Sequence, residues 1–118
     1  LPIFSLAIRS GDLIFLSGQL GAVPGENPPR IVEGGIEAET RQTIENIAAV
    51  LDAAGATLQD LLKCTVFLAD IEDYEAMNAV YAEYFTSDPP ARAALAGSGL
   101  ALGALVELDC IAVAPSSG

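Results

Sequence analysis

The chain has 118 residues, 52% of them hydrophobic, enough to bury the core of one domain and too many for a disordered chain. Its net charge of −11 argues against nucleic acid as a partner, because phosphate contacts need a basic face and only Arg9, Arg30, Arg41, Lys63 and Arg92 could form one. The absence of histidine removes Ser-His-Asp and Cys-His catalysis and His-based metal sites together.

Residues 3–7 and 13–17 are apolar, β-branched or aromatic runs joined through Arg9-Ser10-Gly11-Asp12, which predicts a β-hairpin with Ser-Gly in its tight turn. The second strand ends in Ser17-Gly18-Gln19, where a glycine marks either a strand terminus or a close backbone approach by a ligand. Residues 23–30 hold three prolines and read as an exposed loop. Helical period then places Ile36, Thr40, Ile44, Ile47 and Leu51 on one stripe, with Glu37, Glu39, Arg41, Glu45 and Asp52 off it. That predicts a helix over 36–54 with Gly55 as its C-cap, followed by a capping box at Thr57-Leu58-Gln59-Asp60.

Residues 62–68 alternate, with Leu62, Cys64, Val66 and Leu68 on one face and Lys63, Thr65 and Phe67 on the other. Asp70 can cap a second helix whose stripe is Tyr74, Met77, Tyr81, Tyr84 and Phe85, ending before Asp88-Pro89-Pro90, with Asn78 beside the stripe. Two last strands are expected over 92–96 and 105–113, with a flexible tail at 114–118. The order β-β-α-β-α-β-β implies an α+β domain spanning 1–118: one mixed sheet with two helices on one face and at least one crossover. Leu13, Phe15, Phe67 and the second face of the last strand are then too apolar for water, so the sheet is expected to pack on copies of itself.

Cys64 and Cys110 each sit in an apolar run without CxxC spacing and read as reduced, buried small hydrophobes, which points to a reducing, cytoplasmic compartment. The longest uncharged stretch, 93–106, is shorter than the roughly 18 residues of a membrane span, so no membrane association is expected.

Arg92 stands among Ala, Leu and Pro, where a guanidinium with five donors must find an anion. If the last two strands pair, Glu107 and Asp109 come near it on one face, with Ala94 leaving open space beside it. Spacing alone favours an internal salt bridge; the functional reading has Arg92 fork onto a ligand carboxylate while Glu107 accepts a proton or orients a water.

Five blocks resemble the RidA family, also called YjgF/YER057c. They are Gly11-Asp12-Leu13-Ile14-Phe15-Leu16-Ser17-Gly18-Gln19, Glu39-Thr40-Arg41-Gln42-Thr43-Ile44-Glu45-Asn46-Ile47, Lys63-Cys64-Thr65-Val66-Phe67-Leu68-Ala69-Asp70, Asn78-Ala79-Val80-Tyr81-Ala82-Glu83-Tyr84-Phe85, and Pro89-Pro90-Ala91-Arg92 with Val106-Glu107-Leu108. The resemblance implies a chorismate-mutase-like fold, a homotrimer with a central barrel and ligand clefts between subunits. It also implies cofactor-independent hydrolysis of enamines and imines such as 2-aminoacrylate to 2-keto acids and ammonia. On that basis Arg92 binds the substrate carboxylate, Glu107 positions water, and Ser17, Gly18, Asn78, Phe4 and Ala94 line the cleft. Phe4 stands where the family commonly has tyrosine, and Ala94 where it often has Cys, Ser or Thr. The alternative is a non-catalytic trimeric module that binds a small carboxylate such as a 2-keto acid.

Overall fold

In the computed structural model, which describes residues 3–115, the alternating and helical runs assemble into one sheet with two helices. The strands are β1 (Ala7–Ser10), β2 (Leu13–Leu16), β3 (Gln19–Leu20), β4 (Leu61–Leu68), β5 (Ala91–Ala96) and β6 (Val106–Val113); the helices are α1 (Gly35–Ala53) and α2 (Tyr74–Tyr84). Sheet order is β1-β2-β6-β4-β5, with β3 also paired to β6. β6 is antiparallel to β2, β3 and β4, whereas β4 and β5 run parallel and are connected through α2.

The hairpin lies four residues later than expected in its first strand. Ser10 pairs with Leu13 across Gly11-Asp12, and Gly11 takes a φ of 59°, so the tight turn sets the register and draws the polar Arg9 and Ser10 into the strand. α1 buries Thr40, Ile44, Ile47 and Leu51 as its period requires, with Ile36 half-buried. Each fully buried Ile or Leu contributes about 1.5–3 kcal/mol. α1 ends in a Schellman motif: Gly55 N–H donates to Asp52 O at 3.0 Å and Ala56 N–H to Leu51 O at 2.8 Å. The capping box between Thr57 and Asp60 follows, over the turn Leu58–Asp60.

Four expectations need correction. Glu39, placed off the α1 stripe, is buried, because its carboxylate has a backbone partner on the sheet. Leu62 is 46% exposed and Leu61 takes its place in the core, because a bulge between Leu61 and Lys63 shifts the alternation by one residue. Cys64 and Cys110 are paired in a disulfide: they are register partners on β4 and β6, and their Cα atoms lie 4.1 Å apart. That pairing removes the reason the free-thiol reading offered for a reducing compartment. Finally, β5 does not pair with β6, since β4 lies between them.

One sheet face packs on the helices through Ile14, Leu16, Cys64, Val66, Leu68, Val106, Leu108, Cys110 and Ala112. The other leaves Ile8, Leu13, Phe15 and Leu95 exposed, an apolar face that no helix of this chain covers. Ala114, in the segment expected as a tail, is buried and donates to Asp12 O at 2.7 Å, whereas 116–118 lie outside the described residues. Among the described residues, no helix is long and apolar enough to cross a membrane.

Candidate functional site

Arg92 enters through edge strand β5, directly after Pro89-Pro90. It is in register with Cys64, which puts its side chain on the helix-facing side of the sheet, against α2. Tyr74, Asn78 and Tyr81 stand at spacings of four and three along α2 and so converge on the guanidinium. Nη1 donates to Asn78 Oδ1 at 2.7 Å, and Nη2 donates to the Tyr74 hydroxyl oxygen at 3.0 Å. The guanidinium carbon lies 4.8 Å from the Tyr81 ring centroid and 5.6 Å from that of Tyr74, so two aromatic faces help hold the charge in place. Both hydrogen-bond partners are neutral.

The internal salt bridge expected with Glu107 or Asp109 is therefore not formed, because β4 separates the two strands that would carry it. Of the five guanidinium N–H groups, two are spent on Asn78 and Tyr74, and the other three have no hydrogen-bond partner among the described residues. Beside the arginine, Ala94 helps line an open hollow of about 570 Å³ with Ile71, Glu72, Tyr74 and Glu75.

Glu107 belongs to a different hollow. It pairs in register with Leu20 of β3 and lines a space of about 370 Å³ with Phe4, Ser17, Gly18, Leu20 and Ala101. Ser17 N–H donates to Leu6 O at 2.9 Å and its hydroxyl donates to Ser5 O, tying the segment that carries Phe4 to the end of β2. A Cβ at Gly18 would meet the end of the Glu107 side chain, so glycine here leaves the carboxylate in its place. From α1, Asn46 donates to Leu20 O at 3.0 Å and Ala22 O at 2.9 Å, fixing the backbone under this hollow. Burial, reinforced by the neighbouring Asp109 charge, pushes the Glu107 carboxyl above the usual carboxylate range, which makes it a stronger base.

The seven expected residues thus fall into two groups. Arg92, Asn78 and Ala94 gather around α2; Glu107, Phe4, Ser17 and Gly18 gather around β3. Glu107 is in register with Phe67, three residues from Cys64, so period two places it on the opposite face of the sheet from Arg92.

Tyr74, Leu20, Ala101 and Asn46 also build these hollows and were not expected there. Tyr74 was legible as part of the α2 stripe, and its i, i+4 spacing to Asn78 was the available signal. Leu20 and Ala101 carry no local pattern that marks them.

The family model described as Endoribonuclease L-PSP matches residues 2–114. A RutC family protein of Pyrococcus horikoshii is 45% identical over 109 residues, covering 92% of this chain and 85% of its own. The goat (Capra hircus) protein named 2-iminobutanoate/2-iminopropanoate deaminase is 43% identical over 110 residues, covering 93% of this chain and 79% of its own. Among solved structures, RidA from the Antarctic bacterium Psychrobacter superposes with a TM-score of 0.88 at 35% identity, covering 95% of this chain and 89% of that one.

Proposed function

Since the chain belongs to the YjgF/RidA family, which includes proteins named imine deaminases, we propose that it hydrolyses reactive 2-imino and enamine acids such as 2-aminoacrylate to 2-keto acids and ammonia. The observation that carries this reading is the Arg92 guanidinium. It is oriented by an amide and a phenol, is paired with no carboxylate of the described residues, and has as its neighbours Tyr74 and Ala94, which line an open hollow. Such a group suits a ligand carboxylate.

In the proposed reaction an enamine acid first gains a proton from water at its terminal carbon, giving the protonated imine, and Arg92 binds the carboxylate and fixes the neighbouring imine carbon. Water adds to that carbon as Glu107 takes one of its protons, giving a carbinolamine. The C–N bond then breaks with its electron pair leaving on nitrogen; Glu107 returns the proton to the nitrogen, and the carbinolamine hydroxyl becomes the carbonyl as its proton passes to water. The protonated imine supplies most of the electrophilicity, so positioning and one base suffice and no cofactor enters the scheme.

Because Arg92 and Glu107 occupy opposite faces, this scheme requires a second copy to bring its Glu107 hollow to the first copy's Arg92. A homotrimer closed over the uncovered apolar face, with clefts between subunits, is the assembly we propose. The missing hydroxyl at Phe4 favours one competing reading, a carboxylate-binding module without turnover.

The test follows 2-aminoacrylate generated in a coupled assay. Wild type should accelerate its loss, while Arg92→Lys, which keeps charge without the fork, and Glu107→Gln should not; equal rates in all three would sink the proposal.

A further inference from the structure

Arg92 donates to the Tyr74 oxygen, and a guanidinium has no acceptor, so the phenol's own proton is not used in that contact. Among the described residues no acceptor takes that proton. Tyr74, in the first turn of α2, lines the same hollow as Ala94, and its hydroxyl oxygen lies 3.0 Å from Arg92 Nη2. A carboxylate held on the remaining Arg92 donors therefore comes within reach of a phenolic O–H that is already polarised by the guanidinium behind it.

We propose that Tyr74 is a second anion donor of this site, giving its proton to the ligand carboxylate that Arg92 holds. This rests on the carboxylate reading of Arg92 and adds to it a substrate-binding residue. The surroundings make a directed donor useful. Arg92 on β5 attracts an anion, but the carboxylates of Glu72, in the turn before α2, and Glu75, on α2, share the hollow's wall and oppose one. Tyr81, from the next turns of α2, contributes its ring face to Arg92 and has a buried hydroxyl. The Tyr74 hydroxyl thus supplies short-range attraction where the outer field is acidic.

The arrangement has a pH signature. The Asn78 amide and the Arg92 guanidinium stabilise negative charge on the Tyr74 oxygen and hold its pKa below the usual tyrosine range, against the opposing effect of burial. Below that pKa the phenol donates to a carboxylate; above it the phenolate repels one. Affinity should therefore fall with rising pH, earlier than an ordinary tyrosine would cause.

The experiment is calorimetric titration of the assembled protein with 2-ketobutyrate at several pH values from neutral to alkaline, using wild type, Tyr74→Phe and Arg92→Lys. Tyr74→Phe keeps the ring beneath the guanidinium, and its circular dichroism and melting temperature establish that it folds. The expected result is affinity lower by roughly tenfold at neutral pH in Tyr74→Phe, with the alkaline loss flattened. Unchanged affinity in Tyr74→Phe, or weakened affinity that keeps the wild-type pH dependence, overturns the role of Tyr74. In either case binding that Arg92→Lys abolishes leaves the carboxylate reading standing. Wild type that binds no 2-ketobutyrate overturns both.

Discussion

Arg92 and Glu107 stand on opposite faces of one sheet, the arginine in register with Cys64 and the glutamate in register with Phe67. A chain acting alone cannot present both to one small ligand, and the proposed assembly draws each from a different copy. The proposed chemistry therefore inherits a dependence on assembly that follows from strand register.

Mixing exposes that dependence. Arg92→Ala and Glu107→Ala proteins should each be inactive, yet unfolding and refolding them together in equal amounts should restore roughly a quarter of wild-type activity, because random assembly pairs an intact arginine with an intact glutamate in that share of shared clefts. No recovery in mixtures shown by mass spectrometry to contain both chains counts against a shared cleft.

The two glycines flanking β3 should respond differently to alanine. At Gly18 the new methyl meets only the mobile end of Glu107, so Gly18→Ala should fold normally and lose activity toward the level of Glu107→Gln. At Gly21 it would lie 2.7 Å from the backbone oxygen of Glu39 and 3.0 Å from its Cα, inside α1, which cannot yield. Gly21→Ala should lose about 1–3 kcal/mol of stability, read from denaturant melts.

Glu39 predicts a stability difference that depends on pH. Its buried carboxylate accepts from Leu105 N–H at 2.8 Å, and desolvation raises its pKa despite that bond, with Asp73 adding to the rise. A carboxyl whose pKa is higher folded than unfolded contributes stability that is fully present below the unfolded pKa and lost as pH climbs through the folded one. Glu39→Gln keeps an oxygen for Leu105 and has no charge to bury. It should melt higher than wild type at neutral pH, and the gap should close on acidification; a gap independent of pH refutes this assignment.

Phe4 lines the Glu107 hollow without a hydroxyl. Phe4→Tyr restores a donor there and should raise turnover of 2-aminoacrylate by about tenfold if the chemistry is limited by the missing group. Tight 2-ketobutyrate binding with no turnover in either form would favour the binding-module reading.

Much of the fold was legible because periodicity reports faces. The α1 stripe, the α2 stripe and the alternation of β4 from Cys64 onward follow from residue spacing alone. Periodicity does not report neighbours: nothing local says that β4 lies between β5 and β6, and on that fact turn both the missing Arg92 salt bridge and the Cys64–Cys110 pair. Glu39 escaped notice for a related reason, since the group that justifies its burial, the Leu105 N–H, is 66 residues away in the chain. The bulge at Leu61 and Lys63 likewise leaves no mark in a sequence that is apolar at both positions 61 and 62. Each candidate residue could be named from the chain, but its grouping around α2 or β3 needed the sheet order.

The uncovered face carrying Ile8, Leu13, Phe15 and Leu95 belongs to a chain of net charge −11, and the two properties pull against each other. Copies that gain by burying this face must first approach through their mutual repulsion, which extends about 10 Å at 0.1 M ionic strength and contracts as salt is added. Salt should thus promote association while weakening the attraction of Arg92 for a carboxylate. The expected outcome is a specific activity that passes through a maximum with ionic strength at low protein concentration and only declines at high concentration, where assembly is already complete.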